Sequence, residues 1–309
     1  MSQSMIKELL PDIHFREPPI TVLENNLYQK KGVEVSMLRL DEIHPVISGN
    51  KLFKLFYFLQ EAKMSARRKM ITFGGAYSNH LAATAFVCKE ANLPCVGIVR
   101  GERPDTLSHT LLFCMEQGMK LEFISRTAYQ RIEEKDFLQE LKNKYGEHIL
   151  VPEGGFSVKG KKGAAMITSF FKNQEFTHIC LPVGTATTFA GIIEGSNSET
   201  LGLGVLKNLH DIDVRLRQLQ IDGEKKKYVF NGDYHFGGYA KKTEELISFI
   251  NQFYRQHTVP LDFVYTGKMM YGINDLVQKK YFPPGSRILC IHTGGLQGNE
   301  SLPKGMLHF

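Results

Sequence analysis

The chain has 309 residues, of which 42% are hydrophobic and 23% are charged, and its formal net charge is +6. This length allows two domains of ordinary size, each with its own core. The composition is typical of a soluble globular protein, and the modest, scattered positive charge argues against a nucleic-acid partner. No apolar stretch reaches the roughly 20 residues of a membrane-spanning helix, so no membrane partner is expected.

Residues 1–11 carry no apolar core followed by small residues, so the sequence predicts no secretory signal. Its cysteines are odd in number, lie mostly in apolar segments and lack the spacing of a metal site, so no metal is expected. Reduced core thiols of this kind are typical of a cytoplasmic protein, which is the predicted location. The five cysteines are Cys88, Cys95, Cys114, Cys180 and Cys290.

Short apolar runs alternate with longer helical patterns along the chain. The runs predict strands at 70–73, 95–99, 120–124, 148–151, 178–183, 228–231 and 288–292. Amphipathic spacing predicts helices at 78–91, 106–117, 129–144 and 164–172. Such alternation indicates an α/β fold of mostly parallel sheets flanked by helices.

Glycine-rich turns follow the fourth predicted strand, at Gly154, Gly155, Gly160 and Gly163. No internal repeat or low-complexity linker separates the two halves. We therefore expect a small α/β domain at residues 48–160, inserted into a larger domain made of residues 1–47 and 161–309.

Lys51 follows Gly49 and Asn50 at the junction between a turn and a strongly apolar helical segment. Desolvation lowers the pKa of a lysine amine from its usual value of about 10.4. A neutral amine can form a Schiff base with an aldehyde such as pyridoxal phosphate. The alternative is that Lys51 and Lys54 are surface cations one turn apart on an amphipathic helix.

A second loop, 74–80, follows a predicted strand and opens a predicted helix. Ser78 or Asn79 can cap the helix while free backbone amides face a ligand such as a carboxylate. A plain helix cap without a ligand is the alternative. A hydrolase-type nucleophile elbow is disfavoured, because Ala76 and His80 stand where that motif requires glycine.

The third loop follows the strand predicted at 178–183. Consecutive amides in such a turn form an anion nest, and three threonine hydroxyls add donors, so the loop is a candidate phosphate cradle. It is neither a Walker loop nor a GxGxxG fingerprint, and a threonine-capped turn without a ligand is the alternative. Its residues are Gly184, Thr185, Ala186, Thr187 and Thr188.

The SGNK-type lysine, the GGxxSNH loop and the threonine-rich turn, in this order, resemble fold type II pyridoxal phosphate enzymes. The specific resemblance is to the 1-aminocyclopropane-1-carboxylate deaminase and D-cysteine desulfhydrase family, and it continues through 236–239, 261–268 and 291–295. It implies a tryptophan synthase beta-like fold, pyridoxal 5'-phosphate held by the larger domain, a small amino-acid substrate and a homodimer.

The resemblance also implies a role for each matching residue. Lys51 would carry the cofactor as a Schiff base and later move the Cα proton. Asn79 would hydrogen-bond the cofactor's ring oxygen, while Ser78 and the amides of Asn79 and His80 would hold the substrate carboxylate. The loop 184–188 would bind the cofactor phosphate.

Tyr239 and Tyr265 resemble the family's two active-site tyrosines, one of which would flank the substrate and assist proton transfer. Buried structural tyrosines are the alternative. Departures from the family pattern bear mainly on the substrate. Ser48 replaces a frequent glycine, Phe53 replaces a frequent arginine, and the turn 184–188 lacks the usual glycines.

Two further positions separate the family's branches. The cyclopropane deaminases have glutamate and leucine where this chain has Thr266 and Thr293, as the D-cysteine desulfhydrases do. A carboxylate near the pyridine nitrogen strengthens the ring as an electron sink, which opening an unactivated cyclopropane requires. Elimination of hydrosulfide, a good leaving group, needs a weaker sink.

The sequence therefore favours a D-cysteine desulfhydrase-like β-elimination that gives pyruvate, ammonia and hydrogen sulfide. Ring opening of 1-aminocyclopropane-1-carboxylate to 2-oxobutanoate and ammonia is the first alternative. A pyridoxal phosphate binder without turnover is the second.

Overall fold

The computed structural model describes residues 2–65, 69–207, 209–223 and 227–309, with side chains from residue 6 onward. It divides into two units, which are Met1–His14 with Lys51–Gly163 (unit 1) and Phe15–Asn50 with Ala164–Phe309 (unit 2). The strands are β1 (Ile20–Val22), β2 (Glu34–Arg39), β3 (Met70–Gly74), β4 (Cys95–Arg100), β5 (Lys120–Ile124), β6 (Ile149–Val151), β7 (His178–Val183), β8 (Glu199–Gly204), β9 (Tyr228–Asn231) and β10 (Arg287–His292).

The α-helices alternate with these strands through most of the chain. They are α1 (Ser2–Leu9), α2 (Asn26–Lys31), α3 (Lys51–Met64), α4 (Asn79–Glu90), α5 (His109–Glu116), α6 (Arg126–Tyr129), α7 (Lys135–Tyr145), α8 (Val158–Ala165), α9 (Thr187–Gly195), α10 (Ile212–Gln218), α11 (Glu244–His257) and α12 (Thr266–Gln278).

Unit 1 is built on a four-stranded sheet of order β5-β4-β3-β6, in which every pairing is parallel. All five residues of the central strand β3 are buried, as expected for a parallel strand covered on both faces. Thr72 of β3 pairs with Val151 of β6, so the loops that follow these two strands leave the sheet side by side.

Unit 2 contains a six-stranded sheet of order β1-β2-β10-β7-β8-β9, in which only the edge strand β1 is antiparallel. Its core joins the sheet to α11 and α12 through residues such as Ile250, Met269 and Ile273. The loops after β2, β10, β7 and β9 all leave the carboxyl edge. In open α/β sheets this edge is where ligands bind.

The predicted fold class is confirmed, since both units are mostly parallel sheets with helices. All seven predicted strands are present, with ends shifted by one residue at most, but β1, β2 and β8 were missed. The helix predicted at 129–144 begins later, as α7, after the short α6. The helix predicted at 164–172 is wrong, because α8 ends at Ala165 and a 3-10 helix, Met166–Phe170, follows it.

The N-terminal residues depart from the predicted division, which placed all of 1–47 in the larger domain. Residues 1–14 belong to unit 1 instead. Helix α1 packs against α3, with Ile6 and Leu9 buried, and the Lys63 ammonium donates a hydrogen bond to the Leu9 carbonyl oxygen. The internal boundaries follow Asn50 and Gly163.

Each of the five cysteines is a buried free thiol. In the described part of the chain, no helix is both long and apolar enough to cross a bilayer. Among the same residues, no group of three or more His, Cys, Asp or Glu side chains is arranged to hold a metal ion.

Candidate active site

The predicted site residues fall into two groups, one in each unit. Lys51 is the first residue of α3 in unit 1 and is half-buried. Lys54, one turn further on, is only 4% exposed, which contradicts the alternative that both lysines are surface cations. Burial lowers the pKa of Lys54 well below its ordinary value, and the nearby charge of Lys51 lowers it further. A positive charge on either amine disfavours one on the other, and of the two lysines it is Lys54 whose neutral form is favoured.

The loop before α4 holds Ser78 and Asn79 as the sequence predicted. Ser78 is the N-cap, and its Oγ accepts a hydrogen bond from the Leu81 amide at 3.3 Å. Ser78 therefore acts as a helix cap, as the alternative interpretation of this loop predicted. The neighbouring Asn79 goes beyond it, because its Oδ1 is buried and has no hydrogen-bond partner among the described residues. Since buried polar atoms are nearly always paired, this amide is open to a ligand.

His80 is buried beside the two lysines, and its hydrogen bonds define its tautomer. Its Nε2 lies 2.9 Å from Thr72 Oγ1, and that hydroxyl donates to the Val151 carbonyl oxygen at 2.9 Å. A hydroxyl has one proton, so Nε2 must be the donor to Thr72 and Nδ1 is an acceptor. Nδ1 is buried and has no partner in the part of the chain that the structure describes.

The charge state of His80 follows from its surroundings. Burial lowers its pKa well below the ordinary value, and the positive charges of Lys54 and Lys51 lower it further. His80 is therefore neutral at physiological pH, although a hydrogen bond with the Pro152 backbone opposes the shift. The sequence predicted a role for its backbone amide but none for this neutral side chain.

The candidate phosphate cradle lies in unit 2, between β7 and α9. Ala186 adopts a left-handed conformation, φ +68°, and no side chain caps the helix that begins at Thr187. Thr185 Oγ1 and Thr187 Oγ1 are 3.1 Å apart, and Thr188 Oγ1 accepts a hydrogen bond from Asn50 Nδ2 at 2.8 Å. A helix start with uncapped amides and clustered hydroxyls suits a phosphate.

The turn after β10 lies next to this cradle through Asn50, whose amide donates to the Thr293 carbonyl oxygen at 3.1 Å. Contact here is so close that a side-chain carbon at Gly49 would lie 2.0 Å from that oxygen. His292 braces the turn, accepting from the Gly294 amide at 3.2 Å. Thr293 is thus held firmly at the carboxyl edge of the sheet.

The two tyrosines also lie in unit 2 and contact each other. A side-chain carbon at Gly184 would lie 3.4 Å from Tyr265 Cε1, so the Tyr265 ring lies against the start of the cradle. The rings of Tyr239 and Tyr265 have centroids 6.3 Å apart at an interplanar angle of 71°. Tyr239 is 45% exposed, which excludes the alternative of a buried structural tyrosine at this position.

Thr266 has a structural role that the sequence did not reveal. It is fully buried at the start of α12, where its hydroxyl donates to Asp262 Oδ2 at 2.6 Å and accepts from the Asp262 amide at 2.9 Å. Its only proton is therefore used inside the protein. Of the two branch-distinguishing threonines, Thr293 is left as the candidate partner of the pyridine nitrogen.

A family model described as "Pyridoxal-phosphate dependent enzyme" matches residues 15–294. The chain belongs to this family. As a pyridoxal phosphate enzyme it is expected to bind an aldehyde cofactor with a phosphate group, and the structure offers a matching residue for each part. In unit 2 the cradle suits a phosphate, and in unit 1 Lys51 beside Lys54 suits an aldehyde. The unpaired Oδ1 of Asn79 suits a hydrogen-bond donor on a ligand.

Relatives of this pyridoxal phosphate enzyme carry two activities in their names. The Bifunctional D-cysteine desulfhydrase/1-aminocyclopropane-1-carboxylate deaminase, mitochondrial, of Arabidopsis thaliana is 30% identical over 299 residues, covering 86% of this chain and 73% of that protein. The D-cysteine desulfhydrase of Serratia proteamaculans is 27% identical over 289 residues, covering 85% of this chain and 87% of that protein.

A solved structure extends this likeness to the fold of the pyridoxal phosphate enzyme. A crystal structure described as the ACC deaminase homologue matches with a TM-score of 0.78 and 27% identity, covering 97% of both chains. The chain is therefore a fold type II enzyme of the family that includes these deaminases and desulfhydrases. This excludes the alternative of a pyridoxal phosphate binder without turnover.

Three buried residues next to the predicted site residues were missed as functional candidates. They are Lys54, which the sequence left as a surface cation, and Asp262 with Lys268, which appeared only within a matching segment. The apolar residues on both sides of Lys54 were the one available signal, because a helix that is apolar all round is buried. Only the folded chain shows that all three side chains are nearly inaccessible to solvent.

Proposed function

We propose that this enzyme catalyses β-elimination from a small β-substituted amino acid, with D-cysteine as the favoured substrate. The Cα proton is removed, the Cβ–S bond breaks, and its electron pair leaves on sulfur as hydrosulfide. The released enamine reacts with water to give pyruvate and ammonia. Pyridoxal phosphate, when bound, supplies the aldehyde that links to the amino group and a ring that withdraws electrons from Cα.

Lys51 is the proposed base that takes the Cα proton. A lysine can accept a proton only as a neutral amine, and the buried Lys54 next to it disfavours a second charge in this group. Once released from the cofactor, the Lys51 amine would lie beside this buried lysine, whose own pKa is lowered well below its ordinary value.

The loop before α4 is the proposed site for the substrate carboxylate. Ser78 Oγ and the amides of Asn79 and His80 would donate to it at a helix N-terminus. The Asn79 side-chain amide would bind the cofactor ring oxygen. Tyr239 and Tyr265 are proposed to flank the substrate, and the loop 184–188 to hold the phosphate.

Neutral threonines favour elimination over ring opening. Thr293 has no charge, and Thr266 directs its proton to Asp262 at 2.6 Å, so neither supplies a carboxylate to the pyridine nitrogen. A ring without such a partner is a weaker electron sink. That suffices for expulsion of hydrosulfide but disfavours opening of a cyclopropane.

The proposal is tested by assaying the purified enzyme with D-cysteine, L-cysteine, D-serine, β-chloro-D-alanine and 1-aminocyclopropane-1-carboxylate. We expect pyruvate and hydrogen sulfide from D-cysteine, pyruvate from β-chloro-D-alanine, and little 2-oxobutanoate from the cyclopropane acid. Lys51→Ala is expected to abolish turnover. Faster turnover of the cyclopropane acid than of D-cysteine would establish the ring-opening deaminase instead.

We also propose that the enzyme is a cytoplasmic homodimer. The five buried free thiols support a reducing compartment, and the family resemblance supports the dimer. Light scattering coupled to size-exclusion chromatography would give twice the chain mass for a dimer and the chain mass for a monomer.

A further inference from the structure

Lys268 is a buried lysine in α12 with no part in the function proposed so far. Its side chain is fully inaccessible to solvent. The ammonium donates hydrogen bonds to the carbonyl oxygens of His235, at 2.9 Å, and Gly238, at 2.6 Å. Burial lowers its pKa to about 8, while the negative charge of Asp262 opposes that shift. A charge in such a setting is retained only when it is well paired.

The segment that Lys268 holds has an unusual backbone. Phe236, Gly237, Gly238 and Ala240 all have positive φ, at +51°, +87°, +116° and +51°. For the two residues with a Cβ this conformation is strained and persists only where surrounding contacts impose it. Tyr239 lies inside this segment, so the Lys268 hydrogen bonds fix the backbone on the amino side of that tyrosine.

Asp262 does the same for the second tyrosine. Its buried carboxylate accepts hydrogen bonds from the amides of Val264 at 3.0 Å, Tyr265 at 2.7 Å and Thr266 at 2.9 Å. A buried anion thus anchors the backbone of Tyr265, while a buried cation two residues after Thr266 in α12 anchors the segment of Tyr239. The electrostatic attraction between Asp262 and Lys268 links the two anchors.

We propose that Lys268 is a positioning residue, which holds the Tyr239 segment so that Tyr239 lies against Tyr265 beside the substrate. This inference rests on the proposed function, because it assigns Tyr239 a place next to the substrate. Lys268 itself is fully buried and bonded to backbone carbonyl oxygens, so no contact with substrate or cofactor is assigned to it. Its removal therefore changes turnover only through Tyr239 and leaves the cofactor bound.

The first test measures the segment directly, by hydrogen–deuterium exchange of the holoenzyme. In Lys268→Met, peptides covering 235–240 are expected to exchange at least tenfold faster, while peptides from β7 and β8 keep the wild-type rate. Lys280→Met is the matched control, because Lys280 is exposed just beyond the end of α12. Unchanged exchange at 235–240 in Lys268→Met would overturn the proposal.

The second test is a double-mutant cycle with Tyr239→Phe, using whichever amino acid the wild type turns over fastest. Lys268→Met is expected to lower kcat at least tenfold in the wild-type background and less than threefold in the Tyr239→Phe background, with cofactor absorbance unchanged. Losses that multiply would show a merely structural role and overturn the proposal.

Lys268→Gln provides a second variant, since it keeps a hydrogen-bond donor and reduces the risk that the protein fails to fold. It is expected to give an exchange rate between those of wild type and Lys268→Met, and full wild-type protection would count against the lysine's role. Failure of the proposed function is distinguishable, because it appears as a wild-type enzyme that does not convert D-cysteine. The exchange measurement is independent of that result.

Discussion

Thr72 of β3 forms side-chain hydrogen bonds with both β6 and His80, so Thr72→Val tests the hydrogen bonds that hold His80 near Lys51 and Lys54. Valine has nearly the same shape but no hydroxyl. The substitution removes the hydrogen bond to the Val151 carbonyl oxygen, at 2.9 Å, and the one shared with His80 Nε2, also at 2.9 Å. Thr72 and His80 are only 0% and 3% exposed, so water cannot replace the lost partner.

The magnitude follows from the number of groups left without a partner. A buried polar group that loses its hydrogen bond costs about 1–3 kcal/mol. One such group, the His80 Nε2–H, loses its partner, while the Val151 carbonyl oxygen keeps its backbone hydrogen bond within the β3–β6 ladder. The free energy of unfolding should therefore fall by about 1–3 kcal/mol. Urea unfolding followed by circular dichroism, at a fixed cofactor concentration, measures this quantity.

A matched control is available in the same unit. Thr110 on α5 is also buried, at 2% exposure, but its hydroxyl has no hydrogen-bond partner among the described residues. Thr110→Val therefore removes an unpaired polar atom and is expected to leave stability unchanged or raise it. The reasoning is refuted if Thr72→Val costs no more than Thr110→Val.

Three further predictions concern single side chains. Lys51→Ala should lose both the visible absorbance of the bound cofactor and pyruvate release, whereas Lys159→Ala, which alters an exposed ion pair, should keep both. The pKa of Lys268 in the folded protein, about 8, lies below its pKa in the unfolded chain, so between these values only the unfolded chain binds the proton. The free energy of unfolding of the wild type should therefore be about 3 kcal/mol higher at pH 10.5 than at pH 8 through this residue. Urea unfolding should show no such contribution in Lys268→Met. Gly49→Ala should lower the melting temperature more than Gly285→Ala, since both have positive φ but only Gly49 would clash with a backbone carbonyl oxygen; equal losses would show that backbone strain alone matters.

The predictable part of the fold was the set of strands with continuous apolar runs. Strand β3, Met70–Gly74, is of this kind and is buried on both faces. Strand β8, Glu199–Gly204, was missed because it interrupts its apolar residues with two glycines, and these make room for Phe189 and Phe230. The strand β1, with only three residues at an antiparallel edge, gives no periodic signal.

The predictable part of the site was its loops, because glycine, serine and threonine in a strand-to-helix turn have local chemistry that sequence alone displays. The loop at Ser78 is an example, since its capping role depends on neighbours three residues away. The buried charges were not predictable in the same way. Lysine is usually a surface residue, so the sequence does not reveal that Lys54 and Lys268 are buried. Only the packing of distant segments around them shows it.

The assignment of residues 1–14 to unit 1 was also not predictable from the sequence. Nothing in the amino-acid pattern assigns α1 to one unit or the other. The assignment depends on which apolar surface Ile6 and Leu9 cover, and that surface belongs to α3, more than 40 residues later in the chain. Long-range packing of this kind overrides a division drawn from composition and turns.

The central claim, that this enzyme breaks a Cβ–S bond after Lys51 removes the Cα proton, is tested most directly by comparing two substrates. The cyclopropane acid has no hydrogen on Cα, whereas D-cysteine has one. We predict a higher kcat/KM for hydrogen sulfide release from D-cysteine than for 2-oxobutanoate release from the cyclopropane acid, and a slower rate with D-cysteine deuterated at Cα. A higher kcat/KM for the cyclopropane acid would contradict the account.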